Sequence, residues 1–186
     1  IAESAVPEWK PEAHLEGKVA VNVPLYGLKT FGDLFTPRQL TALTTFSDLV
    51  REVREEVVKD TLAAGLARDG KRLAEGGRGA AAYADAVATY LAFAVDRIAD
   101  RNSSICSWDS SRDNTRNTFA RQAIPMVWDY AESNPFSSST GNFLGAINWI
   151  CGVVAKSPGT TYGWAKQINA TESINGVQQP VLSTDP

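Results

Sequence analysis

The chain has 186 residues, 44% of them hydrophobic and 21% charged, with a formal net charge of −3. That length builds a sizeable core, and no apolar run approaches the ~20 residues of a membrane-spanning helix. The mildly acidic balance excludes a protein that binds nucleic acid through overall charge, so any such contact must be local.

The first residue is Ile1, and the opening "IAESAVPEWKPE" lacks the charged-then-apolar order of a secretory signal. Residues 1–35 lack helical periodicity and read as an extended arm. Within it "KVAVNVPLYGL" alternates like a short edge strand interrupted by Pro24. A sharp helix start follows at "TPRQL". Thr36 is a natural N-cap, Pro37 suits the first helical position, and Gln39 completes a capping box. The apolar register Leu40, Leu43, Phe46, Val50, Val53, Val57 marks one buried face. The charged set around it, with Arg51–Glu55 and Glu55–Lys59 as i,i+4 pairs, reads as solvated surface. The helix should fade into "ARDGKRLAEGGRG", a flexible glycine-rich turn. Gly76, Gly77 and Gly79 do not form a phosphate loop, because no strand precedes them and no Gly-Lys-Ser/Thr ending follows.

A second helix, "AAAYADAVATYLAFAVDRIADR", is apolar almost all round. It should pack between neighbours that its alanines let approach closely. A third is expected over "NTRNTFARQAIPMVWDYAE", kinked or broken at Pro125. "SNPF" at Ser133–Phe136 would stop it. A fourth helix, "TGNFLGAINWICGVVAK", ends at "SPGT". From about Thr160 the pattern changes to two short strands, the second being "PVLSTDP". The fold class is therefore mainly α. A bundle of about four helices over 36–157 lies between the arm of 1–35 and a stretch, 158–186, that begins an α/β core. A strand that delivers Asp185 to a turn and stops at Pro186 suggests a piece of a longer chain.

Cys106 and Cys151 read as reduced thiols of a cytoplasmic protein, and with His14 the single histidine no zinc site is expected within these residues. Two stretches could carry chemistry. An apolar strand ending in Asp-Pro is how amino-methyltransferases present a carboxylate to an exocyclic amine, and Asp185-Pro186 supplies the first two residues of that pattern. The stretch "RIADRNSSICSWDSSRDNTRNTFAR" sets Arg97, Arg101, Arg112, Arg116 and Arg121 against Asp100, Asp109 and Asp113, with Trp108 among serines. Arginine, hydroxyl and amide groups around one aromatic suit phosphate contact and base stacking. They equally suit a loop in which the arginines pair with those acids and the indole covers helix ends.

Three blocks, "YGLKTFGDLFTPRQLTALTTFSDLVREV", "DRNSSICSWDSSRDNTRNTFARQAIPMVWDYAESNPF" and "VLSTDP", closely resemble the central region of a family of large prokaryotic adenine-specific DNA methylases that contain a zinc ribbon. The similarity runs from about Tyr26 to Pro186. It implies a glycine-rich S-adenosylmethionine motif and the zinc ribbon upstream, and a catalytic Asp-Pro-Pro-Tyr motif whose first two positions are Asp185 and Pro186. The family's preceding core strand often ends in Asp-Ala, where this chain has Asn169 and Ala170. The helical region would be an inserted subdomain. DNA recognition through Arg101, Trp108, Arg112, Arg116 and Arg121 is one role for it. A scaffold, or docking of protein partners in a restriction or phage-defence assembly, is the other.

Overall fold

The computed structural model describes residues 6–157 and 159. The stretch expected to begin an α/β core, with Asn169, Asp185 and Pro186, lies outside the described residues. Those described are mainly helical: α1 (Pro37–Ala63), α2 (Ala80–Ala99) and α3 (Phe143–Val154), with short 3-10 turns and one two-stranded ribbon, β1 (Trp108–Asp109) and β2 (Asn114–Thr115). Among the described residues no helix is long and apolar enough to cross a membrane.

The helix starts follow from local chemistry. Thr36 N–H donates to Gln39 Oε1 at 2.8 Å, and Gln39 N–H donates to Thr36 Oγ1 at 3.3 Å, with Pro37 beginning α1. This is the capping box expected from the sequence. Asn142 caps α3 by accepting from Gly145 N–H at 2.6 Å. α2 packs between α1 and α3, and its buried positions are Ala80, Ala82, Ala84, Ala94 and Ile98, so the small residues do set the close approach. Its aromatic residues Tyr83, Tyr90 and Phe93 face outward instead.

The charged surface of α1 departs from the sequence reading. Arg51 pairs with Asp48, Lys59 with Glu56, and Arg54 with Glu55 rather than in the i,i+4 pattern. Arg54 also turns inward: its Nε meets Asp85 Oδ1 of α2 at 2.8 Å, with the side chains 19% and 10% exposed. Arg72 Nε and Leu73 N–H reach the other Asp85 oxygen at 2.6 and 3.0 Å. Burial by itself would raise this carboxyl's pKa. The bonds from Arg72, Leu73 and Arg54 overcome that and hold it well below the usual carboxylate range. The glycine-rich turn is likewise tied down, because the Asp69 carboxylate accepts the backbone N–H groups of Lys71, Arg78 and Gly79.

Two further segments differ from expectation. The apolar alternation in the arm forms no edge strand. Pro24 opens a 3-10 turn, Val23–Tyr26, that Gly27 closes at φ 91°, a left-handed conformation suited to glycine. The arm then folds back on itself, with Leu15 N–H on Lys29 O and Phe31 N–H on Ala13 O at 2.9 and 3.0 Å. It packs into a core of Leu15, Val23, Leu34, Ile105 and Ile124, separate from the bundle core around Ala94, Ile98 and Ala146.

The helix expected over 114–132 is absent; the stretch is β2 followed by irregular chain. Its N–H groups are claimed by non-helical acceptors. Thr118 N–H goes to Asp100 O at 2.7 Å, Phe119 N–H to Asp100 Oδ1 at 2.9 Å, and Arg116 N–H to Ser107 O at 2.8 Å. Pro125 removes another donor and pushes Ile124 out of the helical region. "SNPF" is thus a turn, in which Asn134 Oδ1 accepts from Phe136 N–H at 2.9 Å, and not the stop of a helix.

Candidate nucleic-acid interface

The polar stretch after α2 folds into a platform held from beneath. The buried hydroxyls of Ser103 and Thr118 bond at 2.8 Å, with the Cys106 thiol 3.3 Å from Thr118 Oγ1. Ser104 ties the platform to the arm: its N–H and hydroxyl both donate to Leu34 O at 2.8 Å. Above this layer stands the ribbon, pairing Trp108 with Thr115 and Asp109 with Asn114. Asp113, at φ 50°, turns its tip, a conformation that Asp tolerates better than most side chains.

Asp109 organises the ribbon from a buried position. It accepts from Ser111 Oγ at 2.6 Å and Ser111 N–H at 3.1 Å, and lies 3.4 Å from both Arg112 Nη1 and Arg116 Nε. The Ser111 hydroxyl bond is the largest influence on its carboxyl. Together with Arg116 it outweighs the opposing effect of burial and brings the pKa down to about 2. A depressed pKa stabilises the fold above the unfolded value of 3.8 and loses that contribution as the pH falls towards 2. The melting temperatures of the wild type and Asp109→Asn should therefore differ most above pH 4 and converge near pH 2. A gap unchanged across that range would remove the ionised carboxylate from the explanation.

The sequence-derived candidates are only partly gathered. Arg112 and Arg116 share Asp109 while remaining 77% and 60% exposed. Trp108 stands beside them, 48% exposed, with its backbone N–H donating to Asp129 Oδ2 at 2.9 Å. Arg101 donates from Nη1 to the Thr115 carbonyl of β2. Arg97 lies over the Trp149 ring of α3 at 4.2 Å. Arg121 is exposed and makes no ion pair among the described residues. Both local readings of the stretch are thus partly realised: acids do pair with arginines, and the cationic and aromatic faces still reach solvent.

Two features were not legible beforehand. Arg97 and Arg101 line a polar cavity of about 300 Å³ with Ser138, Ser139, Thr140 and the capped start of α3. Cationic side chains and hydroxyls together suit a phosphate. The second is an exposed aromatic row beside the ribbon. Tyr26 meets Trp128 edge-on at 5.7 Å, and Trp128 meets Tyr130 at 6.1 Å. Tyr130 has φ 52°, unusual for an aromatic residue. In the sequence this row is "VWDY" together with Tyr26, and "VWDY" reads as part of a helix.

The glycines before α2 follow a 3-10 turn (Leu73–Glu75) and not a strand, so Gly76, Gly77 and Gly79 do not open a strand–glycine–helix unit. Both cysteines are free, Cys106 buried and Cys151 exposed. Among the described residues no cluster of three or more His, Cys, Asp or Glu could hold a metal ion. No protein-family model, curated protein or solved structure matches the chain.

Proposed function

We propose that the chain is part of an S-adenosylmethionine-dependent DNA adenine N6-methyltransferase, in which the ribbon and the cavity beside it contact DNA. The observation that carries this is the cavity formed by Arg97, Arg101, the Ser138–Thr140 hydroxyls and the start of α3, next to a ribbon that exposes Trp108, Arg112 and Arg116. One buried carboxylate holds the shape of the ribbon while both guanidiniums stay exposed, which leaves their donors open to phosphate. Asp185, followed by Pro186, would orient the exocyclic amine of the target adenine by accepting its hydrogen bond. The cofactor would supply the methyl group from residues other than those described.

The test is DNA affinity as a function of salt. Arg112→Ala combined with Arg116→Ala should flatten the dependence of log K on log salt by up to about 2 if both touch phosphate. Trp108→Ala should weaken binding by roughly 1–3 kcal/mol with little change in slope if the indole stacks on a base. If the arginines serve only Asp109, thermal stability falls while affinity and slope stay put, and that result sinks the interface. For the catalytic half, Asp185→Ala should reduce adenine methylation with the fold retained; full activity would take Asp185 out of the mechanism.

A second reading, a helical module that docks a protein partner, is favoured by a different surface. Tyr90, Leu91, Ile147, Ile150 and Val154 line an apolar groove of about 540 Å³ between α2 and α3. Such a groove fits the apolar face of an amphipathic helix. Leu91→Asp would impair this role and leave the salt slope unchanged.

A further inference from the structure

The 12 residues of α3 hold one amide, Asn148, and no charge. A helix that is apolar on nearly every side is ordinarily covered by other structure. Here Phe143, Ala146, Ile147 and Ile150 turn to the bundle, while Leu144, Trp149, Cys151, Val153 and Val154 stay exposed. The open surface continues into the groove of about 540 Å³ between α2 and α3, where Tyr83 and Tyr90 of α2 are exposed as well. Among the described residues no charged side chain lines that groove. Apolar surface that is contiguous and uncharged marks a place that another segment or molecule covers.

The chain carries a suitable segment next to it. Val154 and Ala155 line the groove, and the described residues end close by, at Gly159. "SPG" at 157–159 is a sequence that favours a change of direction. After it comes "TTYGWAKQINA", with Tyr162, Trp164, Ala165 and Ile168 against a single charge, Lys166. The α2 wall of the groove runs from Tyr83 to Leu91, about 12 Å at a rise of about 1.5 Å per residue. About four residues of extended chain, at roughly 3.3 Å each, match that length, so residues 160–170 are long enough to reach and cover it. Tethering decides between this segment and a free molecule. A short tether holds its end at about millimolar effective concentration, so a partner or a second copy at micromolar concentration competes at a disadvantage of about a thousandfold. We propose that residues 160–170 lie back over the α2–α3 groove, with the Trp164 indole as the main apolar contact. The groove is then an internal seam of the chain and not a dock for a partner helix, and this holds whether or not the chain contacts DNA.

Cys151 reports on the seam, because it lines the groove with an exposed thiol while Cys106, the other cysteine, is buried. The measurement is the rate at which a maleimide labels Cys151 in the 186-residue chain, followed on the Cys151 peptide by mass spectrometry. Trp164→Ser should speed that labelling roughly tenfold by uncovering the thiol. Tyr162→Cys, Ala165→Cys and Ile168→Cys form a second series. At least one of them should close an intramolecular disulfide with Cys151 about tenfold faster in the folded chain than in the same chain unfolded by urea. If Trp164→Ser fails to fold, this series decides. Equal labelling rates in the wild type and Trp164→Ser, or a disulfide series no faster folded than unfolded, overturn the proposal. Protection of Cys151 that disappears on dilution, together with a doubled mass by light scattering, overturns it in favour of a second copy. None of these measurements involves DNA, so their failure leaves the DNA interface to its own test.

Discussion

Asp85→Ala is expected to destabilise the protein by about 3 kcal/mol, near the lower end of what breaking a buried ion pair costs. The carboxylate is shared by Arg54, Arg72 and the Leu73 N–H, and joins α1, α2 and the turn between them. Removing it leaves Arg54, only 19% exposed, without its counter-charge. For a chain of this size the melting temperature should fall by roughly 10 °C. The sign with pH follows from the depressed pKa. The contribution is complete above the unfolded value of 3.8 and is lost as the pH falls through the lower folded value. The gap between variant and wild type should thus be flat from pH 5 to neutrality and close only in strong acid. Arg54→Ala combined with Asp85→Ala should cost less than the two single changes added, since each already removes the same pair. A loss below about 1 kcal/mol would place the pair among solvent-exposed bridges.

Gly141→Ala should cost about as much for a different reason. Gly141 has φ +90°, where a side chain is strained, and a Cβ there would meet the Ser133 hydroxyl at 2.5 Å and the Ser133 Cβ at 2.6 Å. Backbone strain of on the order of 1–3 kcal/mol adds to overpacking of similar size, giving a loss of about 3 kcal/mol after relaxation. Ser133 cannot yield freely, because its hydroxyl is held at 2.7 Å by Thr115 of the ribbon. The strain should spread to Asn102, whose Nδ2 donates to Gly141 O at 3.1 Å, so thermal melts and the amide resonance of Asn102 both report on it. A melting temperature equal to that of the wild type would show that the turn relaxes without cost.

The elements that the sequence determined by itself rest on interactions of short range. Thr36, Pro37 and Gln39 fix the start of α1 within four residues, and the alanines of α2 dictate close packing whatever the neighbour. The missing helix over 114–132 shows the limit of that logic. Asp100 and Ser107, outside the segment, capture its N–H groups. The arm looked extended because nothing in its own sequence states that Leu34 will receive Ser104, 70 positions away. The Arg-rich stretch was legible as composition, since five arginines and a tryptophan among serines are visible to the eye. Which arginine faces a carboxylate, which a carbonyl and which solvent was not. Arg54 and Asp85, 31 positions apart, looked like surface charges until two helices brought them together. Side-chain caps and apolar spacing act within a turn or two and are written locally. Ion pairing, burial and the walls of a cavity depend on which distant segments meet, and only the tertiary structure decided those.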